Sequence, residues 1–407
     1  YYNMKKLTKR ILVCFMVFIL GFYSCNKEND QQQLIYIKIA ALLPQSGALS
    51  NLGTTSKIAL EIGVQEINND FISRELPYRI NLSVFDTQLD TTLARSLVHS
   101  LLAEGYKMFI GPMSSAELNA IKSVSDSAGV IVVSPSSTSR SLSIANDAIF
   151  RYCPGEQAIS NALALTMYSS GKRAIVTVTR NDIATLGLQS TFTTLFSGLG
   201  GTVVSVGNYP INTTDFSFTI SEVHNQLLTL SSTFNRNEIG VYYPSFNEAI
   251  LFFNQAAQDS ILYSVNWYGG VGFIKSPALL LDTLATEFAY TTSYFSPETA
   301  LPNSAQYLWS PLGTAIQNQC GITADFYAIA SYDALHVMSR LIEAKEGHIV
   351  GGVDLQQDFY NLSNQSSGAT GIITLDTSGD RSNGVFNYWG LTNVNGAYNW
   401  TIVGQSQ

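Results

Sequence analysis

Apolar runs of strand length alternate with amphipathic helical patterns along the first part of the chain. Residues 34–43 (LIYIKIAALL) predict a buried strand, and residues 79–86 (RINLSVFD) alternate in the manner of a half-buried one. After the second run, Leu93, Leu97 and Leu101 recur at the spacing of one helix face. Strands that alternate with helices of this length predict βαβ units and a parallel sheet.

A second series of the same kind begins after Arg151. Its predicted elements are a helix over 157–170, a helix that ends at 198–201, and strands over 173–179, 202–206, 238–243 and 261–267. The glycines of GLGG at 198–201 follow a helical pattern, so they indicate a helix C-terminus and not a phosphate-binding loop. We therefore expect an α/β fold of two doubly wound lobes, for which 407 residues and an apolar share of 46% suffice.

Three loops of the first series are rich in Ser, Thr and Gly. They are LLPQSGALSNLG at 42–53, GPMSS at 111–115 and SPSSTS at 134–139, and each follows an apolar run and precedes a helical pattern. In a parallel sheet the carboxyl ends of the strands share one edge, where backbone N–H groups and helix N-termini converge on ligands. These loops predict one pocket that hydrogen-bonds a small polar molecule.

Residues 1–24 have the order of a secretory signal peptide: four basic residues within 5–10, an apolar stretch over 11–22, and then Ser24. Cys25 follows directly, and a Cys after a small residue resembles the lipidated first residue of a bacterial lipoprotein. Residues 25–33 are then a lipid-anchored polar tether. We expect an exported protein, periplasmic or at the cell surface, that is held to the membrane by its lipid; a plain signal peptide cut nearby is the alternative.

The net charge indicates which partners the chain can bind, and the cysteine content bears on disulfide formation. The formal net charge is −8, and the leader already holds four of the basic residues, so the rest of the chain is more acidic still. We therefore expect no nucleic acid partner, because that affinity depends on basic side chains that neutralise phosphates. Cys153 and Cys320 remain after the leader, and either a disulfide or two buried thiols fits an exported chain.

Enzymatic chemistry is not supported by any motif. The four histidines, His99, His224, His336 and His348, are scattered, and none has a second ligand at metal-site spacing. The sequence has no GxSxG nucleophile motif. We therefore expect a protein that is not an enzyme and needs no metal or cofactor.

Short motifs follow one another in a recognisable order. They are LLPQSGALSNLG at 42–53, FDTQ at 85–88, GPMSS at 111–115, SPSSTS at 134–139, IFRYCP at 149–154, SYDAL at 331–335 and TGIITLDTSGDR at 370–381. In this order the chain resembles the type 1 periplasmic binding proteins, in the branch of the leucine-, isoleucine- and valine-binding proteins. The resemblance extends over nearly the whole mature chain.

This resemblance implies two lobes joined by a three-crossover hinge that closes over a ligand. It places the crossovers near Phe150, Ala289 and Gly368. The expected first lobe is then 34–150 plus 290–367, and the expected second lobe is 151–289 plus 368–407.

The resemblance also implies the ligand-binding residues. In amino-acid-binding relatives, hydroxyls of the second and third loops hold the ligand carboxylate, and these positions match Ser115 and Thr138, with Ser114 beside the first. Ser136 is the residue whose carbonyl oxygen would face an ammonium group, and Ser137 beside it is a further candidate. The alternative is that these residues only cap the helices that follow them.

Departures from the family pattern concern the cleft wall. Leu52 and Leu186 stand where relatives have aromatic residues, and Val271 stands where relatives have the acid that pairs with the ligand ammonium. Without that acid an ammonium would be poorly paired, so the expected ligand is not a standard amino acid but a related polar molecule such as a carboxylate or amide. Phe246 and Tyr327 are the remaining wall candidates; a core role fits either equally well.

The resemblance therefore implies an exported, lipid-tethered solute-binding protein. It would capture a small polar ligand in the cleft and deliver it to an ABC-type permease. A ligand-sensing receptor module of the same fold, without transport, is the alternative.

Overall fold

A computed structural model describes residues 33–47, 49–270 and 272–406. The predicted signal peptide, Cys25, nearly all of the tether and Val271 lie outside these residues. In the described part of the chain, six parallel strands form the first sheet in the order β2-β1-β3-β4-β5-β13. They are β1 (Ile35–Leu43), β2 (Tyr78–Asp86), β3 (Met108–Ile110), β4 (Ile131–Ser134), β5 (Ile149–Pro154) and β13 (Asp380–Arg381).

The second sheet contains seven strands of the described residues in the order β7-β6-β8-β9-β10-β14-β15. They are β6 (Ala174–Thr177), β7 (Thr202–Ser205), β8 (Ile239–Tyr243), β9 (Asn266–Gly269), β10 (Phe295–Ala300), β14 (Val385–Val394) and β15 (Ala397–Gln405). The strands from β7 to β10 are parallel, whereas β14 and β15 form an antiparallel hairpin on β10. A short separate pair consists of β11 (Ser367–Gly368) and β12 (Gly371–Ile372).

Helices cover both faces of the first sheet. They are α1 (Ser50–Ser73), α2 (Thr91–Ala103), α3 (Ser115–Ala128), α10 (Gln306–Cys320), α11 (Phe326–Ala344) and α12 (Val353–Asn364). On β1, Ile39 and Ala41 belong to one core cluster, and Ala40 and Leu42 belong to another. A strand with apolar contacts on both faces reads as a continuous apolar run, which is the pattern of residues 34–43.

The second sheet is covered in the same way. Its helices are α4 (Glu156–Ser169), α5 (Ile183–Gly198), α6 (Ser217–Leu230), α7 (Ala249–Ala256), α8 (Pro277–Leu281) and α9 (Thr283–Thr291). On β8, Val241 packs into one core and Tyr242 into the core on the opposite face. The prediction of an α/β fold with two doubly wound lobes is confirmed. In the described residues no helix is long and apolar enough to cross a membrane.

The chain crosses between the sheets at positions that differ from the expected ones. β5 stays in the first sheet to Pro154, β10 belongs to the second sheet to Ala300, and β13 returns to the first sheet to Arg381. The crossovers therefore follow these three residues: the first lies close to the expected Phe150, whereas the other two come well after Ala289 and Gly368. The expected ranges 290–367 and 368–407 each assign one strand to the wrong lobe.

The physical reason lies in the composition of these strands. β10 has the sequence FSPETA, in which Pro297 and Glu298 interrupt any apolar alternation. β13 consists of two charged residues. The predicted strand at 261–267 is also displaced, because Leu262–Ser264 forms a 3₁₀ turn and β9 begins at Asn266.

Candidate functional site

A cavity of about 440 Å³ lies between the two lobes, at the carboxyl ends of their parallel strands. From the first lobe it is lined by Ser136, Thr138 and Tyr327. Apolar groups of the second lobe line the rest, among them Ile159, Leu188, Pro244, Phe246 and Ile274. Its polar lining from that lobe includes Glu156, Thr185, Ser245, Lys275, Glu298 and Thr299. Four of the predicted residues thus lie at one site: Ser136, Thr138, Phe246 and Tyr327.

Hydrogen bonds join the second and third serine-rich loops. The Ser134 hydroxyl donates to the carbonyl oxygen of Pro112 at 2.7 Å, and the Ser136 hydroxyl donates to that of Met113 at 2.6 Å. The hydroxyls of Ser115 and Ser137 are 2.8 Å apart. The two loops therefore form one structural unit, as expected for a shared pocket, but three of the predicted hydroxyls are already used to build it.

Ser114 acts as a helix cap. Its hydroxyl accepts from the backbone N–H of Glu117 at 3.2 Å and also contacts the Glu117 carboxylate. Of the described residues that line the cavity, none is Ser114, Ser115 or Ser137. For Ser114 the structure gives the role named as the alternative.

Close backbone approach fixes the second loop against the first. Gly111 has φ +94°, and a Cβ at this residue would lie 2.0 Å from the carbonyl oxygen of Leu42. Only glycine accommodates both this conformation and this contact. The glycine of the GPMSS motif is thus needed for loop geometry.

Three hydroxyls on the cavity wall make no hydrogen bond to any described residue. They belong to Thr138, Thr299 and Tyr327. Burial raises the pKa of Tyr327, so its phenol remains a neutral donor at physiological pH. These three groups are the ones that a bound molecule can satisfy.

An ion cluster of the second lobe holds the Phe246 ring in place. The Arg180 guanidinium carbon lies 4.2 Å from the ring centroid. Arg180 Nε is 2.7 Å from Asp182 Oδ2, and its Nη1 is 3.4 Å from Glu248 Oε2. The Tyr209 hydroxyl donates to the other oxygen of Glu248 at 3.0 Å. This cluster favours a fixed ring at the wall.

Charged side chains also line the cavity. Lys275 Nζ is 2.7 Å from Glu298 Oε2 and 4.2 Å from the Trp389 ring centroid, and the Trp389 indole N–H donates to the same carboxylate at 2.7 Å. Glu156 stands in the first turn of α4. Burial raises the pKa of Glu156, and a hydrogen bond from the backbone N–H of Arg140 opposes that shift.

The motif resemblance did not point to these acids. It indicated only the segment around Val271, whose two neighbours, Gly270 and Gly272, do line the cavity. Glu156 could have been found, since it comes two residues after the β5 strand that the IFRYCP motif marks. The absence of an acid around Val271 therefore does not leave the cavity wall without carboxylates, and the contribution of Val271 to binding stays a prediction.

Two residues predicted for the cleft wall, Leu52 and Leu186, are not among the described residues that line the cavity. Leu52 is half-buried in α1 and packs against the first-lobe core. Leu186 is half-buried in α5, whose residues Thr185 and Leu188 line the cavity. The contribution of Leu52 and Leu186 to binding stays a prediction.

No group of three or more His, Cys, Asp or Glu residues that could hold a metal ion occurs among the described residues. Cys153 is buried and Cys320 is half-buried, and both are free thiols. Of the two possibilities for these cysteines, the structure has the unpaired one.

Comparisons with known proteins agree with this architecture. Residues 36–345 match the family described as periplasmic binding protein. An uncharacterised protein of Methanocaldococcus jannaschii is 26% identical over 400 residues, which cover 94% of this chain and 90% of that protein.

Solved structures of the same fold include proteins with different ligands. A leucine-binding protein of Thermotoga maritima has a TM-score of 0.62 and 21% identity, covering 91% of this chain and 99% of that one. A solute-binding protein of an ABC transporter from R. palustris, in complex with benzoate, has a TM-score of 0.59 and 18% identity, covering 91% and 96%. The family expected from the motifs is confirmed: the chain belongs to the periplasmic binding proteins, a family that binds solutes and does not catalyse reactions.

Proposed function

We propose that this chain is an exported solute-binding protein that takes up a small polar ligand between its lobes and delivers it to an ABC-type importer. The observation that carries the proposal is the interlobe cavity of about 440 Å³. Its wall combines apolar side chains with the hydroxyls of Thr138, Thr299 and Tyr327, which have no hydrogen-bond partner in the described part of the chain. Such a mixture is typical of small-molecule sites.

The cavity also suits a binding cycle of lobe closure. The lining of the cavity comes from both lobes, so a molecule that touches both would bind the closed arrangement better than the open one. The permease would then recognise the closed form. Structural relatives are substrate-binding proteins of ABC transporters, which supports this order of events.

A thermal-shift screen of the purified chain tests the proposal. Amino acids, aromatic and aliphatic carboxylates, amines, amides and sugars are added singly, and a ligand at about 100 times its Kd stabilises the folded state by about 2.7 kcal/mol. We expect at least one class to raise Tm. Phe246→Ala should abolish that shift, whereas Phe218→Ala, at a Phe that is 75% exposed, should keep it. A shift that survives Phe246→Ala would place the ligand elsewhere.

Membrane attachment through Cys25 is part of the same proposal. Its support is the basic and apolar leader, the Ser24–Cys25 pair and the polar residues 26–33. Expression in a bacterium that lipidates lipoproteins should give a membrane-bound chain, and Cys25→Ala should release it or block its processing. Cys14→Ala, a change of the same type within the leader, should leave attachment intact. A Cys25→Ala chain that is still processed to the same size and still attached to the membrane would contradict lipidation.

A further inference from the structure

We infer that Arg140 holds the two lobes in the closed arrangement and thereby strengthens ligand binding, although it does not line the cavity. Its contact is a hydrogen bond from Nη1 to Thr191 Oγ1 of the opposite lobe, at 3.2 Å, here called the interlobe bond. Arg140 is thus a positioning residue and not a ligand contact. Its effect on affinity rests on the proposed function, whereas its effect on lobe closure does not depend on any ligand.

The two ends of the interlobe bond belong to different lobes. Arg140 follows the third serine-rich loop of the first lobe and begins a 3₁₀ turn (Arg140–Leu142). Thr191 lies in α5 of the second lobe and is only 2% exposed, so an exposed arginine reaches a hydroxyl in the interior of the opposite lobe. Neither residue belongs to a crossover segment. Because hinge motion displaces one lobe against the other, opening of the cleft separates the two atoms.

A second helix of the opposite lobe contacts the same residue. The backbone N–H of Arg140 donates to the carboxylate of Glu156, which stands in the first turn of α4. Burial raises the pKa of Glu156, and this hydrogen bond and the positive charges of Arg151 and Arg140 oppose the rise. The charge of Arg140 thus attracts a carboxylate across the boundary between the lobes. The interlobe bond and this attraction both favour closure.

The position of Arg140 connects closure with the cavity. Thr138, two residues earlier in the chain, lines the cavity, whereas Arg140 and Thr191 do not. The loop between them is held to the first lobe by Arg151, whose guanidinium donates to the Ser139 carbonyl oxygen at 2.6 Å. A loop that is fixed at this carbonyl does not follow α5 when the lobes separate. The interlobe bond is therefore lost when the cleft opens.

The consequence for binding is a factor common to all ligands. A ligand that requires the closed arrangement binds with its intrinsic association constant multiplied by the fraction of the free protein that is closed. The interlobe bond raises this fraction, and a hydrogen bond from a charged, partly exposed donor supports a change of about fivefold. A side chain that touches the ligand would instead change the affinities of different ligands by different factors.

Small-angle X-ray scattering of the purified chain without ligand tests closure directly. Arg140→Met removes the guanidinium and leaves the backbone N–H to Glu156, and Thr191→Val keeps the shape of the side chain but removes the acceptor. We expect each variant to have a larger radius of gyration than the parent, and the double variant to show no further increase. An unchanged radius in Arg140→Met would overturn the inference. An unchanged radius in Thr191→Val alone would overturn the assignment of the acceptor.

Isothermal titration calorimetry tests the effect on affinity. The probes are L-leucine, benzoate and the compounds that raise Tm in the thermal-shift panel. Arg140→Met should raise the Kd of every probe that binds by the same factor, about fivefold, and Thr191→Val should do the same. Factors that differ between probes by more than about threefold would assign Arg140 to direct ligand contact and refute its positioning role.

Arg95→Met is the matched control, because it removes the same group from an exposed position of α2 in the first lobe. It should change neither the radius of gyration nor any Kd, and a change equal to that of Arg140→Met would contradict a specific role of Arg140. With a saturating probe Arg140→Met should regain the radius of the parent, which shows that the variant is folded and closes. If no probe binds, the proposed function falls, while the scattering of the free proteins still decides the inference.

Discussion

A buried ion pair at the crossovers gives the sharpest test of how the lobes are joined. Arg151 on β5 binds Asp380 on β13 through Nε and Nη2, and the two side chains are only 2% and 8% exposed. Burial alone would lower the pKa of Arg151, but the hydrogen bonds and charge of Asp380 more than offset this and hold it above its usual value. Asp380→Asn preserves the shape of the side chain and removes its charge.

The expected loss of stability depends on the hydrogen bonds that Arg151 still makes in the Asp380→Asn variant. Its guanidinium still donates to the Ser139 carbonyl oxygen at 2.6 Å and to the Ser143 hydroxyl at 2.8 Å. Removal of one partner from a buried pair costs about 3–5 kcal/mol, because the other charge stays buried. Since these two bonds remain, we expect Asp380→Asn to lower the free energy of unfolding by about 3 kcal/mol, the low end of that range.

Urea unfolding, followed by both fluorescence and circular dichroism, measures this value where the two curves coincide. Asp358→Asn is the control, since it removes an acid from a half-exposed pair with Lys345 and should cost less than about 1 kcal/mol. If Asp380→Asn costs no more than Asp358→Asn, the reasoning from burial is refuted.

Three further predictions concern the cavity and the loop that contains Gly111. Thr138→Val and Tyr327→Phe each remove one hydroxyl that has no partner among the described residues. Each should weaken the binding of the ligand found in the screen about fivefold and leave the Tm of the free protein unchanged. If calorimetry shows unaltered affinity, that hydroxyl does not contact the ligand. Gly111→Ala would put a Cβ against the Leu42 carbonyl at positive φ and should cost about 3 kcal/mol or more in urea unfolding; a cost below about 1 kcal/mol would contradict this contact. Burial raises the pKa of Glu156 in the folded state above its value in the unfolded chain. The protonated group therefore stabilises the fold at a pH below the unfolded pKa, and this stabilisation is lost as the pH rises through the folded pKa. Glu156→Gln should therefore raise Tm at neutral pH, and the difference in Tm between variant and parent should vanish below about pH 4. A difference in Tm that is the same at every pH would contradict a raised pKa. The charges of Arg151 and Arg140 reduce this rise of the Glu156 pKa.

The strands that the sequence predicted are those with a buried apolar pattern. β1 and β8 carry apolar residues toward both faces of their sheets, so periodicity and composition alone reveal them. β10 and β13 are held by other forces. β10 pairs along its length with β14 although it contains Pro297, and β13 joins β5 through an ion pair. Pairing and charge partners far apart in sequence leave no local pattern, and for this reason the crossovers were misplaced.

In the candidate site, too, the sequence predicted some residues and could not predict others. Motif resemblance pointed to Thr138 and Tyr327, both of which line the cavity. It could not indicate that the hydroxyls of Ser115 and Ser137 bond each other, since this depends on the distance between two loops. The resemblance does not predict Glu156, because the relatives carry their acid at the position of Val271. In this chain the acid comes from the helix after the first crossover.

The hinge ion pair and the ligand loop are connected through a single side chain. Arg151 Nη1 donates to the carbonyl oxygens of Ser139 at 2.6 Å and Ser137 at 3.4 Å, which flank Thr138. The strand on which the chain leaves the first lobe thus holds the backbone on both sides of a residue that lines the cavity. Because Asp380 keeps the same guanidinium in place, the conformation of this loop depends on the return crossover as well. Asp380→Asn should therefore weaken ligand binding in addition to stability, even though Asp380 does not line the cavity.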